Sequence, residues 1–160
     1  MASERDVLRA TLDAQREHVL GILEGLSDEA LQRAVLPTGW TCLGLVHHLA
    51  IDVERFWFRI IVANEPIELD ESDNAWHVPP GMPSGEVFDL YRREIELANG
   101  VIEVTDLDTP PARWPDEWAT WKLENLREVL MHVITETATH AGHLDAVREL
   151  IDGRTWLILT

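Results

Sequence analysis

The chain has 160 residues, of which 46% are apolar, and its 29 acidic and 13 basic residues give a formal net charge of −16. This length is typical of one domain, and the apolar fraction is sufficient for a buried core, so we expect a single folded domain over residues 1–160. The excess of negative charge argues against binding to nucleic acid or to anionic lipid, because both are recognised through Lys and Arg.

Further classes of protein are excluded by cysteine content and by the apolar segments. Cys42 is the only cysteine, so neither an intrachain disulfide nor a cysteine-based zinc framework is expected. No apolar run approaches the roughly 20 residues that span a bilayer. The first residues, MASERDVLRA, lack the apolar core of a secretory signal. We therefore expect a cytoplasmic protein without a membrane anchor.

Apolar residues recur at helical spacing in four long segments, and these predict four helices near residues 3–24, 41–63, 84–103 and 124–151. Ser3 is a suitable N-cap for the first helix, and Gly153 is a suitable end for the last. A short helical turn is expected from Ser27 to Leu31. No strand-like alternation persists, so we expect no sheet of three or more strands.

Long connections join these predicted helices. Residues 64–83 form an acidic segment with four prolines, and residues 106–121 carry three prolines together with Trp114, Trp118 and Trp121. The sequence therefore predicts an all-α, four-helix bundle with long crossover connections rather than a simple up-down-up-down order. The three tryptophans are expected either to wall a pocket or to plug one end of the bundle.

The last predicted helix carries two polar residues within its apolar stripe. Glu136 and His140 are four residues apart and face the same side as Val133 and Leu144. An ionised carboxylate in a bundle core is costly unless it is paired or binds a metal, and inward Glu and His side chains one turn apart are typical of metal sites in bundles. The alternative is an ordinary hydrogen-bonded pair at the surface. His143 lies at the edge of the same face.

A metal site requires at least one more ligand, and the second predicted helix offers His47 and His48. His48 falls between apolar positions and can point inward, whereas His47 leans towards the edge of that face. A core histidine with a backbone partner is the alternative for His48, and a surface histidine is the alternative for His47. Periodicity alone leaves this choice open.

Two segments of the chain resemble a known family. Gly39-Trp40-Thr41 through His48-Leu49-Ala50, followed by Glu54 and Trp57, is similar to the second helix of the DinB/YfiT-like metalloprotein superfamily. The segment from His132 to Gly153 resembles the last helix of that superfamily. The resemblance is closest to an actinobacterial branch that includes mycothiol-dependent S-transferases and maleylpyruvate isomerases.

The resemblance implies a divalent metal, zinc by preference or nickel, held by one histidine of the second helix and two residues of the last. These positions correspond to His48, Glu136 and His140. Many relatives have His in place of Glu136, whereas the isomerase-like members share the Glu-xxx-His arrangement. Many also have Gln in place of His143, which leaves this residue as a further ligand, a general base or a residue that orients Glu136.

The function that the resemblance implies is activation of a low-molecular-weight thiol, similar to mycothiol, for attack on an electrophile. The protein would be a metal-dependent thiol S-transferase or a thiol-assisted isomerase. His143, one turn from His140, is a candidate to accept the thiol proton, and its alternative is a residue that only orients Glu136. Arg148 is a candidate for holding a carboxylate of thiol or substrate, and its alternative is an ion pair with Asp145. Cys42 is expected to be a core residue rather than a nucleophile.

The alternative function is a non-catalytic metal-binding bundle with a stress or partner-binding role. The two functions differ in whether the metal site opens on a pocket or is closed, for example by His143 as a fourth ligand. Relatives similar to this chain are often dimers, so a homodimer is expected.

Overall fold

The computed structural model describes residues 1–68, 74–118 and 120–157, and within these ranges the protein is all-helical. The helices are α1 (Glu4–Leu23), α2 (Asp28–Gln32), α3 (Cys42–His48), a π-helix (Leu49–Val62), α4 (Ser84–Val104), a 3₁₀ turn (Asp116–Trp118) and α5 (Leu126–Asp152). The predicted all-α class is confirmed. Parts of the two predicted connections, residues 69–73 and Ala119, lie outside the described residues, as do residues 158–160.

Helix ends follow the local sequence. Ser3 caps α1 in a reciprocal arrangement with Asp6, each side chain accepting a hydrogen bond from the other residue's backbone N–H. Asn125 accepts from Glu128 N–H at the start of α5, and Gly153 ends that helix in the left-handed conformation, with φ 78°. Such caps satisfy backbone groups that a helix end otherwise leaves unpaired.

Helices α1 and α5 run parallel to each other. Near their first turns, Arg127 of α5 is paired with Glu4 of α1 at 2.6 Å. Near their last turns, Arg148 of α5 donates to the carbonyl oxygen of Ile22 at 2.7 Å. The two starts therefore lie at one end of the bundle and the two ends lie at the other.

The π-helix runs antiparallel to α5. The ring of His48, at the junction of α3 and the π-helix, lies 5.1 Å from that of His140, late in α5. Trp57, further along the π-helix, lies 4.6 Å from His132, earlier in α5.

Helix α4 runs antiparallel to α1, because Arg5 donates to the carbonyl oxygen of Thr105 just beyond the end of α4. The order along the chain is therefore up (α1), down (α3 and the π-helix), down (α4) and up (α5). Successive parallel segments require a connection that returns along the length of the bundle, and residues 63–83 provide it. The crossover expected from the sequence is thus a feature of the fold.

The second predicted helix, residues 41–63, has the expected extent but two kinds of winding. It is α-helical over Cys42–His48 and π-helical over Leu49–Val62. π-helical segments are rare and often occur at functional sites. Two of the carbonyl oxygens near its end, those of Ile61 and Val62, accept hydrogen bonds from the backbone N–H groups of Arg113 and Ala112. The connection between α4 and α5 is therefore hydrogen-bonded to the end of this helix.

Two buried carboxylates on the α1 and α4 side of the π-helix are fully paired. Glu54, which is 0% exposed, accepts two hydrogen bonds from Arg16 at 2.7 and 2.6 Å. Glu94 accepts from Arg55 and Arg59. Bidentate geometry of this kind compensates for the loss of hydration on burial. Every helix in the described ranges is too short or too polar to cross a lipid bilayer.

Candidate metal centre and adjoining cavity

The structure brings together the three residues that the sequence predicted as metal ligands. His48, Glu136 and His140 each present one potential ligand atom, and these atoms all lie within 4.8 Å of one another. His48 comes from the end of α3, and the other two lie one turn apart on α5, where Glu136 Oε1 is 3.4 Å from His140 Nε2. The antiparallel packing of these two helices is what makes the three side chains converge.

The cluster has the chemistry of a divalent metal site. Two imidazole nitrogens and one carboxylate oxygen suit zinc, nickel and other first-row metals. His48 Nε2 is buried and has no hydrogen-bond partner among the described residues. Because buried polar atoms are normally paired, an unpaired nitrogen next to Glu136 and His140 indicates a place for a ligand. The residues present therefore fit the metal that the sequence resemblance implies.

Burial favours the protonation state of His140 that binds a cation. The pKa of His140 is lowered by burial and by the neighbouring His48, and the charge of Glu136 opposes this shift only in part. A lowered pKa favours the neutral imidazole, which is the form that binds metals.

Asp52 and Trp76 hold His48, and the sequence reasoning missed both. His48 Nδ1 lies 2.9 Å from Asp52 Oδ2, which leaves Nε2 directed at the cluster. The indole of Trp76 stacks on the His48 ring at a centroid distance of 4.2 Å and an interplanar angle of 17°. Helical spacing of four could have suggested Asp52, but nothing in the sequence places Trp76, which comes from the long connection.

Gly44 allows that connection to approach α3. A Cβ atom at this position would overlap the backbone carbonyl of Trp76. His47, the other candidate ligand, is directed at the same segment: its Nδ1 lies 2.7 Å from the carbonyl oxygen of Ala75, and the residue is buried. The alternative of a surface position for His47 is therefore wrong. It is the core histidine with a backbone partner, and His48 is the one that joins the cluster.

A cavity of about 390 Å³ opens directly on the cluster. Its polar lining residues are His48 and Glu136 of the cluster, together with Asp52 and His132. The remaining wall is apolar and is formed by Val53, Phe56, Trp57 and Trp118. We call this space the Trp cavity. A larger cavity of about 540 Å³ lies beyond Trp40 and Trp76, on the side of the long connection.

The tryptophans predicted to cluster do so, around Trp57. Trp118 lines the Trp cavity, whereas Trp114 and Trp121 lie behind it, each with its ring centroid 5.8 Å from that of Trp118. Trp114 Nε1 also donates to the carbonyl oxygen of Trp121. Of the two roles considered, a pocket wall describes Trp118; Trp114 lines a neighbouring cavity, and Trp121 is exposed.

His143 and His132 flank the cluster in different ways. His143 is exposed, and its ring centroid is 5.5 Å from that of His140 and 6.3 Å from that of Trp40. It is not part of the three-residue cluster. His132 lies on the wall of the Trp cavity, one turn before Glu136, and burial lowers its pKa.

The structure does not bring Arg148 to the cluster. Its guanidinium donates to the carbonyl oxygens of Ile22 and Glu24 at the end of α1, and to the Asp152 carboxylate. The alternative partner, Asp145, lies instead 2.7 Å from His18 Nε2. Arg148 thus satisfies the terminal carbonyl groups of a neighbouring helix.

Cys42 lies in the core at the start of α3, as expected, and is 0% exposed. Burial raises the pKa of its thiol to about 11. A buried thiol with a raised pKa is a poor nucleophile at neutral pH, which agrees with the prediction that Cys42 is structural.

Comparison with known proteins agrees with the fold and the site. Residues 7–153 match the family model described as mycothiol S-transferase, a DinB/YfiT-like family. Among curated proteins, none matches the chain. The matched range includes the three clustered residues and spans all the helices except the first residues of α1. The chain belongs to the mycothiol S-transferase family.

Proposed function

We propose that this protein transfers a low-molecular-weight thiol, mycothiol or a close analogue, to an electrophile at the His48–Glu136–His140 cluster. The family supports a mycothiol-related transferase. The observation that carries the site is the Trp cavity, because it reaches His48 and Glu136 directly. A site that only stores or structurally binds a metal is normally closed by protein ligands, and here His143 is exposed and outside the cluster.

The three clustered residues are proposed to hold one divalent ion, preferably zinc. When bound, such an ion supplies positive charge that lowers the pKa of a coordinating thiol. Neighbouring residues of the chain orient the proposed ligands. Asp52 fixes the ring of His48 through a 2.9 Å contact with Nδ1, and the indole of Trp76 stacks on one face of this ring. These two contacts hold the imidazole in one orientation.

The transfer is a substitution in which one bond forms and another breaks. The thiol sulfur forms a bond with an electrophilic carbon, and the leaving group departs with the electron pair of the broken bond. The thiol proton passes to His143, which is proposed as its acceptor and exchanges it with solvent. An imidazole nitrogen can accept a proton and return it to water, and His143 is exposed while its ring lies 5.5 Å from His140.

The proposal is tested by measuring consumption of mycothiol in the presence of an alkyl halide by the zinc-loaded protein. We expect product formation that requires thiol, protein and metal together. His143→Gln should retain bound zinc, lower the rate at neutral pH and change the pH profile. If His143 only orients Glu136, the rate of this variant will change little once the metal is saturating. Absence of any thiol-dependent turnover, with no spectral change when thiol is added to the cobalt-substituted protein, would favour the non-catalytic alternative.

A further inference from the structure

The Trp cavity has a composition that selects among electrophiles. Phe56, Trp57 and Trp118 form a mutual contact on one wall, with ring centroids 5.3 to 5.9 Å apart. The edges and faces of these rings provide a surface on which a flat apolar group can pack. His132 lies against Trp57 with its ring centroid 4.6 Å away and adds a polar atom to the same wall.

The aromatic wall is held in place by a second layer. Trp114 and Trp121 both pack on Trp118 and on Trp57. The 3₁₀ turn Asp116–Trp118 also carries Trp118. A wall supported from behind loses little conformational freedom when a ligand packs on it, and this favours binding.

The charges around the cavity all have the same sign. Its charged lining residues are Asp52 and Glu136, and none of the described residues that line it is Arg or Lys. Arg113 lines a neighbouring cavity, and Arg148 is committed to the end of α1. Carboxylate groups of ligands are normally held by Arg or Lys, and the chain carries a net charge of −16. The cavity therefore offers a carboxylate-bearing substrate no compensating cation from the chain.

We propose that the Trp cavity binds the electrophile, and that this substrate is an uncharged molecule with a flat aromatic body rather than an organic acid. This inference rests on the proposed thiol transfer, because it assigns the second substrate of that reaction. The aromatic body packs on Phe56, Trp57 and Trp118, and its reactive carbon is directed at His48 and Glu136. We assign the choice of substrate to Trp118, because among the described residues that line the cavity it is the one that comes from the connection between α4 and α5.

The experiment measures equilibrium binding to the full chain without thiol, so that it is independent of turnover. The neutral dye N-phenyl-1-naphthylamine is bound to the zinc-loaded protein, and its displacement is measured with two unreactive ligands of similar shape, 4-nitrotoluene and 4-methylbenzoate. We expect the anionic ligand to compete at least about tenfold more weakly, because none of the described residues that line the cavity is an Arg or Lys that could pair with its carboxylate. Trp118→Leu should weaken binding of the dye by about tenfold or more.

Trp156→Leu is the matched control, because this tryptophan also packs on an aromatic ring, that of His18 at a centroid distance of 5.0 Å, but does not line the Trp cavity, and this variant should retain most of the affinity for the dye. Circular dichroism of each variant verifies that the fold is intact. Equal competition by the two ligands, or equal loss in the two variants, would overturn the inference. Displacement of the dye by myo-inositol and glucosamine would also overturn it, since the cavity would then hold the polyol portion of the thiol. Thiol-dependent turnover in the same preparation reports separately on the proposed function.

Discussion

The two sides of the helix formed by α3 and the π-helix differ in whether their buried polar groups have partners within the chain. On the side facing α1, the carboxylate of Glu54 receives two hydrogen bonds from Arg16. On the side facing α5, His48 and His140 each bury one nitrogen that has no partner among the described residues. Both sides are costly to desolvate. On the first side the two charges compensate each other within the chain, although the neighbouring Tyr91 hydroxyl is buried without a partner among the described residues. A complete buried pair stabilises the fold, whereas an incomplete cluster indicates a ligand.

The largest effect is expected on the stability of the protein when the buried pair of Arg16 and Glu54 is broken. Glu54→Gln removes the buried partner of Arg16 and leaves only the partly exposed Asp13 as its counter-charge, so it should lower the free energy of unfolding by about 3 kcal/mol, as measured by urea denaturation. Glu65→Gln is the control, because Glu65 is paired with Arg59 in a more exposed position and should cost at most about 1 kcal/mol.

The double variant Arg16→Met/Glu54→Leu separates pairing from packing. Replacing both charges by apolar groups removes the uncompensated charge, so much of the lost stability should return. A Glu54→Gln variant as stable as the Glu65→Gln variant would mean that the buried pair does not act as described.

A smaller effect is expected on zinc binding when Asp52, which contacts His48 of the incomplete cluster, is replaced. Asp52→Asn removes the charge that orients His48 and should weaken zinc binding by about 10- to 100-fold, as measured by calorimetric titration. Asp145→Asn is a matched control, since Asp145 contacts His18 at 2.7 Å in a second His–Asp pair outside the cluster. Comparable losses in both variants would show that the effect is not specific to His48.

The smallest effect is a dependence of stability on pH in the metal-free protein. Burial lowers the pKa of His132 and of His140 below the value of 6.5 that an exposed histidine has. The unfolded chain therefore binds protons that the folded chain does not, and the free energy of unfolding should fall as the pH decreases through about 6.5. His132→Gln should make this decrease shallower between about pH 7.5 and about pH 5.5. An unchanged slope would contradict a buried, neutral His132.

The sequence predicted the helices and the pair Glu136 and His140 because these depend on local pattern, whereas His48 was assigned through the family resemblance. Capping residues such as Ser3 and Gly153 mark the helix ends, and a spacing of four places Glu136 beside His140 on one face. The crossover was predicted only as a consequence of long connections. The π-helical winding of Leu49–Val62 has no such signature, because it changes the backbone pairing and not the apolar pattern.

The choice between His47 and His48 required tertiary structure. The two residues differ by a single step along α3, and the deciding contacts come from Ala75 and Trp76 in a connection without periodicity. Neither of the two partners considered for Arg148 is the one observed, and the origin is the same, since it donates to carbonyl groups of a helix more than a hundred residues earlier in the chain. Contacts between distant segments leave no pattern in either segment alone.

The most direct test of the account is a calorimetric titration of the metal-free protein with zinc. The wild-type chain should bind one equivalent, and each of His48→Ala, Glu136→Gln and His140→Ala should weaken binding by at least about 100-fold. His143→Gln, which changes a neighbouring imidazole outside the cluster, should leave the stoichiometry and affinity unchanged. Full binding of one equivalent at wild-type affinity by both Glu136→Gln and His140→Ala would contradict the assignment of this cluster as the metal centre.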